Sequence, residues 1–120
     1  MSKSTLVIGA SLKPYRYSHL AIQRLVNLGY PVFAVGRDIG EVHGITIRQE
    51  VDNFSDIHTV TLYLNADAQR EYYESILALN PKRIIFNPGA ENAEFKKRAL
   101  ESGIEAFNAC NLVMLSANTF

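Results

Sequence analysis

The chain has 120 residues, of which 48% are apolar, and its 12 Lys and Arg residues balance its 12 Asp and Glu residues. This length fits a single domain over residues 1–120, and the apolar fraction is that of an ordinary folded chain and not of a disordered one. A formal net charge of zero argues against a general nucleic-acid-binding protein, which normally carries a net basic surface.

Cysteine content and the first residues indicate the compartment. The single cysteine, Cys110, excludes an internal disulfide and a multi-cysteine metal site, and is typical of a reducing environment. The chain begins without a signal-peptide pattern, and no apolar run approaches the ~20 residues needed to span a bilayer. We therefore expect a soluble, cytoplasmic protein that does not associate with a membrane.

Short segments rich in Val, Ile, Tyr and Phe alternate along the chain with longer segments of helical spacing. The short segments predict strands over residues 5–10, 31–35, 59–64, 83–87 and 104–107. The longer segments predict helices over residues 18–28, 66–79 and 91–102, with a last turn or two of helix between 111 and 117. Residues 36–44 are predicted to be a loop, and residues 45–47 a short additional extended piece.

The strict alternation of strand and helix predicts parallel strands joined by right-handed crossovers. Strands that are apolar on both faces, such as the one from Leu6 to Ala10, agree with helices on both sides of the sheet. The sequence therefore predicts an α/β fold, a Rossmann-like doubly wound five-stranded parallel sheet in the order 3-2-1-4-5.

In such a sheet the ligand lies beyond the carboxyl ends of the strands, where the strand order reverses. The predicted order puts this crevice between the turns that follow the first and fourth strands. Gly9 permits close approach of the backbone, and the free N–H groups of a helix that starts near Ser18 favour an anion. Lys13 and Arg16 add positive charge to the same turn, although the full G-x-G-x-x-G dinucleotide fingerprint is absent. The alternative is that Gly9 only forms a turn and Ser18 only caps the helix.

The second predicted strand ends in Val35-Gly36-Arg37. Enzymes that use NAD place an acidic residue here for the ribose 2′-hydroxyl, whereas an arginine suits a ribose that carries a phosphate. Arg37 therefore favours a ligand such as NADP or coenzyme A, because its guanidinium can bind a phosphate through two hydrogen bonds. The alternative is a solvated surface arginine paired with Asp38 or Glu41.

Short motifs spread along the whole chain carry a family resemblance. They are Gly9-Ala10-Ser11 with Pro14, Arg16 and Ser18, then Gly29-Tyr30-Pro31-Val32, Glu41 and Gly44, Ile84 to Phe86 with Gly89 and Asn92-Ala93-Glu94, and finally Gly103-Ile104 with Cys110. In these the chain resembles the small stand-alone branch of the coenzyme A-binding domain family, which is similar to the N-terminal domain of succinyl-CoA synthetase α-subunits. The resemblance implies binding of coenzyme A or an acyl-CoA, with its 3′-phospho-ADP part over the first turn and the end of the second strand.

The chain departs from the family pattern at three places near this site. Gly36-Arg37 stands where the family often has Asn-Pro, Asn65 lies in a region that often carries a basic residue, and Asn87-Pro88-Gly89 replaces Gln-x-Gly. The predicted ligand-binding residues are Gly9, Ala10, Ser11, Pro14, Arg16, Tyr17, Ser18, Gly36, Arg37, Asn65, Asn87, Pro88 and Gly89.

No arrangement of residues in the sequence indicates catalysis. His19, His43 and His58 are isolated and lack metal-ligand spacing, and Cys110 has no base at a motif spacing. We therefore expect non-catalytic binding of a small nucleotide ligand, with no metal and no nucleic acid. The alternatives are an NADP-binding oxidoreductase-like protein and an interaction protein that has lost its ligand. Exposed edge strands leave a homodimer or another protein partner open.

Overall fold

The computed structural model describes residues 3–51 and 53–120, and its strands join into one sheet. The strands are β1 (Thr5–Ala10), β2 (Val32–Gly36), β3 (Glu41–Val42), β4 (Ile45–Arg48), β5 (Thr59–Leu62), β6 (Arg83–Phe86) and β7 (Glu105–Asn108). Their order across the seven-stranded sheet is β3-β4-β2-β1-β5-β6-β7. The pairing of β3 with β4 is antiparallel, and the other pairings are parallel.

Helices connect the strands. They are α1 (Tyr17–Asn27), α2 (Ala66–Gln69), α3 (Tyr73–Leu79), α4 (Ala93–Glu101) and α5 (Asn111–Ser116). The stretch predicted as one helix over residues 66–79 is divided into α2 and α3 by a 3-10 turn at Arg70–Tyr72. No glycine or proline marks this division, so the helical spacing of the sequence does not reveal it.

Alternate residues of β1 face two hydrophobic cores, one on each side of the sheet. Leu6 and Ile8 belong to the core that contains Phe95 of α4, whereas Val7 belongs to the core that contains Leu25 of α1. All three β1 side chains are fully buried. The predicted α/β class, with a doubly wound Rossmann-like sheet and helices on both faces, is confirmed.

The strand count and order differ from the prediction of five strands in the order 3-2-1-4-5. Ile45–Arg48, expected only as a short extended piece, is a strand that pairs in parallel with β2. Because this strand takes the place beside β2, the segment predicted as the third strand, β5, pairs with the opposite edge of β1. The strand order therefore reverses between β1 and β5, and β6 lies one strand further away than predicted.

A cationic cluster surrounds His58 at the amino-terminal edge of the sheet. The Thr59 hydroxyl accepts a hydrogen bond from Arg83 Nε at 2.8 Å and lies 2.8 Å from His58 Nδ1. Its own hydrogen can then be donated to Nδ1, which requires a neutral imidazole. Burial lowers the pKa of His58, and the positive charges of Arg83, Lys3 and Lys82 lower it further.

This environment predicts that acid destabilises the fold through His58. Because the folded-state pKa is below the unfolded value of about 6.5, the unfolded chain binds the proton more tightly, and stability falls as pH drops below that value. We expect His58→Gln to lose less unfolding free energy than the wild type between pH 7.5 and pH 5.5, as measured by urea denaturation. His43→Gln, at an exposed loop position, is the control. An identical pH dependence in His58→Gln and the wild type would contradict this account.

Candidate functional site

A cleft of about 400 Å³ opens at the carboxyl ends of β1, β2 and β5. Pockets for small-molecule ligands commonly have volumes of roughly 300–1,000 Å³. The lining residues are Gly9, Ala10, Ser11, Lys13, Arg16, Gly36, Arg37, Asp38, Tyr63, Leu64, Asn65, Ala68, Glu71 and Tyr72. The cleft thus lies where the strand order reverses, the position at which doubly wound sheets bind ligands.

Two glycines let the ends of β1 and β2 come together at the cleft. Gly9 has a φ of 97°, which favours glycine, and the register between the two strands shifts between Ile8 and Ala10. A Cβ atom on Gly36 would lie 2.3 Å from the carbonyl oxygen of Ala10. Any side chain at position 36 would therefore push the two strand ends apart, and main-chain groups border this part of the cleft.

The loop after β1 is held by its own hydrogen bonds and by the loop after β2. The Asp38 carboxylate accepts the Leu12 N–H at 2.9 Å. The Lys13 N–H donates to Ser11 Oγ at 3.1 Å, and the Arg16 N–H donates to the Lys13 carbonyl at 3.1 Å. The basic side chains of Lys13 and Arg16 therefore extend from an ordered loop at the mouth of the cleft.

Positive charge predominates slightly among the lining side chains, with three basic and two acidic residues. The exposed guanidinium of Arg37 takes part in none of the salt bridges formed within residues 3–51 and 53–120. Partial burial raises the pKa of Tyr72, the Glu71 carboxylate raises it further, and Arg37 offsets part of the rise. Arg37, at the end of β2, and Glu71 and Tyr72, in the 3-10 turn after β5, therefore line the same cleft.

The start of α1 is not capped by a side chain. Arg16 occupies the N-cap position without a side-chain hydrogen bond to the helix, and the first turn carries no acidic residue. The N–H groups of this turn and the positive end of the helix dipole therefore have no compensating carboxylate or hydroxyl among the side chains that the structure describes. Ser18, predicted to lead into the helix, lies inside its first turn and is buried.

A second, small cavity of about 60 Å³ adjoins the cleft. It is lined by Tyr17, Tyr63, Asn87, Pro88, Cys110 and Leu112, so Tyr63 borders both spaces. Three predicted ligand residues, Tyr17, Asn87 and Pro88, lie here and not in the cleft. The corrected strand order explains the position of Asn87 and Pro88, because β5 separates the turn after β6 from β1.

The other predicted residues are divided between the cleft and the surrounding loops. Those that line the cleft are Gly9, Ala10, Ser11, Arg16, Gly36, Arg37 and Asn65, whereas Pro14, Ser18 and Gly89 line neither cavity. The Asn65 side chain also caps α2, accepting the Ala68 N–H at 2.9 Å. The lining residues not predicted as ligand-binding are Lys13, Asp38, Tyr63, Leu64, Ala68, Glu71 and Tyr72. Most of these residues follow β5. They could have been predicted as lining residues only if β5 had been placed beside β1 in the sheet.

Asn87 has a structural role that the sequence did not reveal. Its side chain is 1% exposed, and Nδ2 donates to Thr61 Oγ1 at 2.7 Å and to the Leu62 carbonyl at 2.9 Å. Its Oδ1 accepts the Asn111 N–H at 2.7 Å. The amide thus ties β5, the turn after β6 and the start of α5 together, and its hydrogen bonds are made within the chain.

Replacing Asn87 tests this tie. We expect Asn87→Ala to lower the free energy of unfolding by about 2–4 kcal/mol, because it leaves buried partner groups unsatisfied. Asn27→Ala, at an exposed position near the end of α1, is the matched control and should change stability by less than about 0.5 kcal/mol. Urea denaturation measures the free energy of unfolding of both variants. If Asn87→Ala were as stable as Asn27→Ala, the three hydrogen bonds of Asn87 would make no net contribution to stability.

The histidines lie outside the lining of both cavities. His19 Nδ1 is 3.0 Å from the Ser11 carbonyl, and its ring meets that of His43 edge to face at 5.5 Å. Within the described ranges, no group of three or more His, Cys, Asp or Glu side chains is placed to hold a metal ion.

In those same ranges, no helix combines the length and the apolar character needed to cross a membrane.

The fold and the cleft define a doubly wound α/β domain with its candidate ligand site at the reversal of strand order. The chain belongs to the CoA binding domain family, whose model matches residues 3–116. This match confirms the resemblance seen in the sequence motifs. Membership of the family supports coenzyme A, a small nucleotide ligand, as the class of molecule bound.

Solved structures with the same fold range from a near relative to distant enzymes. The crystal structure of an uncharacterized protein is 48% identical, with a TM-score of 0.96 and coverage of 100% of this chain and 99% of that chain. A hypothetical protein from Pyrococcus horikoshii OT3 is 26% identical, with a TM-score of 0.87 over 98% of this chain and 84% of its own.

A more distant match covers one part of a larger enzyme. That enzyme is the dinucleotide forming acetyl-coenzyme A synthetase 1 of Ca. Korarchaeum cryptofilum, in complex with phosphate and ADP. It is 16% identical, with a TM-score of 0.74 over 91% of this chain and 26% of that chain, and the likeness shows a shared fold alone. No curated protein matches this chain significantly.

Proposed function

We propose that this protein binds coenzyme A in the cleft between β1, β2 and β5, and that binding without catalysis is its role. The observation that carries the proposal is the position of Lys13, Arg16 and Arg37 around the reversal point of a sheet whose chain belongs to the CoA binding domain family. Coenzyme A carries a pyrophosphate and a ribose 3′-phosphate, and these basic side chains suit such charges.

The pyrophosphate, the 3′-phosphate and the adenine ring of the 3′-phospho-ADP group each have a matching feature at the cleft. The Gly9 turn and the uncapped start of α1 offer N–H groups and a positive dipole to the pyrophosphate. Arg37, at the end of β2 and outside the salt bridges of the described ranges, is assigned to the 3′-phosphate. Tyr72, close to Arg37, offers an aromatic surface for the adenine ring.

A binding role is favoured over a reaction by the composition of the cleft. Within the described ranges, its lining contains neither a histidine nor a cysteine, the side chains that most often move protons or attack substrates. Arg37 would also suit the 2′-phosphate of NADP, so NADP is the principal competing ligand. The family match favours coenzyme A.

Calorimetric titration of the ligand-stripped protein with coenzyme A, acetyl-CoA, NADP and NAD tests the proposal. We expect micromolar binding of coenzyme A and no heat from NAD, which has no 2′- or 3′-phosphate on its adenosine ribose. A preference for NADP would replace the proposal with an oxidoreductase-like function. Absence of binding by all four would indicate an interaction protein that has lost its ligand.

The role assigned to Arg37 has its own test. We expect Arg37→Ala to weaken coenzyme A binding by about 1.5 kcal/mol or more, roughly tenfold in Kd, while binding of dephospho-coenzyme A is almost unchanged. Arg24→Ala is the matched control, because Arg24 lies in the last turn of α1 and does not line the cleft. Equal losses for both ligands would refute the contact with the 3′-phosphate.

A further inference from the structure

One peptide unit in the loop after β1 is held by a side chain at each of its polar groups. The Ser11 carbonyl oxygen lies 3.0 Å from His19 Nδ1, and the Leu12 N–H donates to Asp38 Oδ2 at 2.9 Å. The carbonyl and the N–H belong to the same planar peptide, in which they point in opposite directions. The two hydrogen bonds therefore fix the rotation of this Ser11–Leu12 peptide about the chain.

The contact with the Ser11 carbonyl determines the tautomer of His19. A carbonyl oxygen can only accept a hydrogen bond, so the imidazole must carry a hydrogen on Nδ1. In the neutral ring, Nε2 is then left without a hydrogen. The His43 ring meets the same ring edge to face, with 5.5 Å between the ring centroids. His19 is therefore both packed and hydrogen-bonded, and either property could account for its place.

The orientation of the Ser11–Leu12 peptide matters to an anion in the cleft. Ser11 and Asp38 line the cleft, whereas His19 lies on α1 outside this lining. The Ser11 carbonyl is thus directed to a donor outside the cleft lining, where its partial negative charge is compensated. Because fixed dipoles strengthen or oppose the binding of a charged group according to their direction, a rotated peptide would free this carbonyl to repel a phosphate.

The same peptide connects the two loops that carry the cationic side chains of the cleft. Lys13 and Arg16 follow it in the loop after β1, and Asp38 lies next to Arg37 just after β2. The charge of an aspartate at this place opposes the binding of phosphates. Its hydrogen bond with the Leu12 N–H gives the aspartate a use in spite of that charge, because the bond holds the two loops at a fixed spacing.

We infer that His19 and Asp38 are positioning residues, which together lock the Ser11–Leu12 peptide in the orientation that the phosphates of coenzyme A require. This inference rests on the proposed function. Both side chains act through the peptide and not by contact with the ligand. The lock exists before the ligand arrives, so less ordering of the loop is needed on binding. Loss of either hydrogen bond therefore weakens ligand binding although every cationic side chain remains.

Two substitutions at His19 separate its hydrogen bond from the packing of its ring. His19→Phe keeps an aromatic ring and removes the donor, whereas His19→Asn loses the ring and keeps a donor, because asparagine Nδ2 occupies the place of histidine Nδ1. In calorimetric titration with coenzyme A, we expect His19→Phe to weaken binding roughly three- to tenfold and His19→Asn to stay within about twofold of the wild type. His43→Asn is the matched control, because it changes only the packing on the His19 ring.

Two substitutions at Asp38 separate its hydrogen bond from its charge. Asp38→Asn and Asp38→Ala remove the same negative charge, but only asparagine keeps an oxygen that can accept the Leu12 N–H. We expect Asp38→Asn to bind coenzyme A roughly threefold or more tightly than Asp38→Ala. Equal affinities of these two variants would overturn the role inferred for Asp38.

A measurement on the ligand-free wild type tests the lock without any substitution. Long-range ¹H–¹⁵N correlation spectra show which nitrogen of a neutral histidine ring carries the hydrogen. We expect the Nδ1–H form at His19, and the Nε2–H form would overturn the inference.

The outcomes distinguish failure of the inference from failure of the proposed function. If the wild type binds coenzyme A, but His19→Phe binds it equally well or His19→Asn binds it as weakly as His19→Phe, the inference is overturned and the proposed function stands. If the wild type does not bind coenzyme A, the proposed function fails and the inference fails with it. If His19→Phe does not fold, the pair of Asp38 variants and the tautomer of His19 decide.

Discussion

The central strand β1 is hydrogen-bonded to a parallel strand on each side, and the cleft lies at the point where these strands part. Pairing of β1 with β5 ends at Ile8 and Leu62, whereas pairing with β2 continues to Ala10 and Gly36 across the shift at Gly9. The helix after β1, α1, packs into one core through Ile22 and Leu25, whereas the helix α3, which follows β5, packs into the opposite core through Tyr73 and Ile76. The loops therefore leave in different directions, and the gap between them is the cleft.

Buried side-chain amides hold the walls of this gap. The fully buried Gln69 donates to the Leu64 carbonyl at 2.8 Å and the Ala90 carbonyl at 2.7 Å, and it accepts from Asn92 Nδ2 at 2.9 Å. With the tie made by Asn87, these bonds join the turn after β5 to the loop after β6. Hydrogen bonds of this kind are strong in a low-dielectric interior, so the cleft is built before any ligand arrives.

Local patterns predicted most of the fold, and long-range pairing did not follow from them. Strands such as β1 and β6 are short apolar runs that are buried on both faces, a signal that the sequence carries directly. The strand Ile45–Arg48 is short and alternates in exposure, so its apolar content is too low to separate it from a loop. Because the prediction omitted this strand, it placed β6 beside β1, where the structure has β5.

The same distinction applies to the site. Gly9 and Arg37 were predicted because they belong to a turn and a strand end whose roles depend on local sequence. Tyr63 and Tyr72 were not, because their place beside the cleft depends on which strand lies next to β1. The role of Asn87 as an internal tie depends on three partners distant in sequence, which no local motif records.

The most direct test of the central claim is to map amide chemical shifts of ¹⁵N-labelled protein during titration with coenzyme A. We expect the largest changes in residues 9–16, 36–38 and 63–72, which surround the reversal of strand order, and none around His58 and Arg83 at the opposite edge. Changes confined to that opposite edge, with Gly9 and Gly36 unaffected, would contradict a ligand site between β1, β2 and β5.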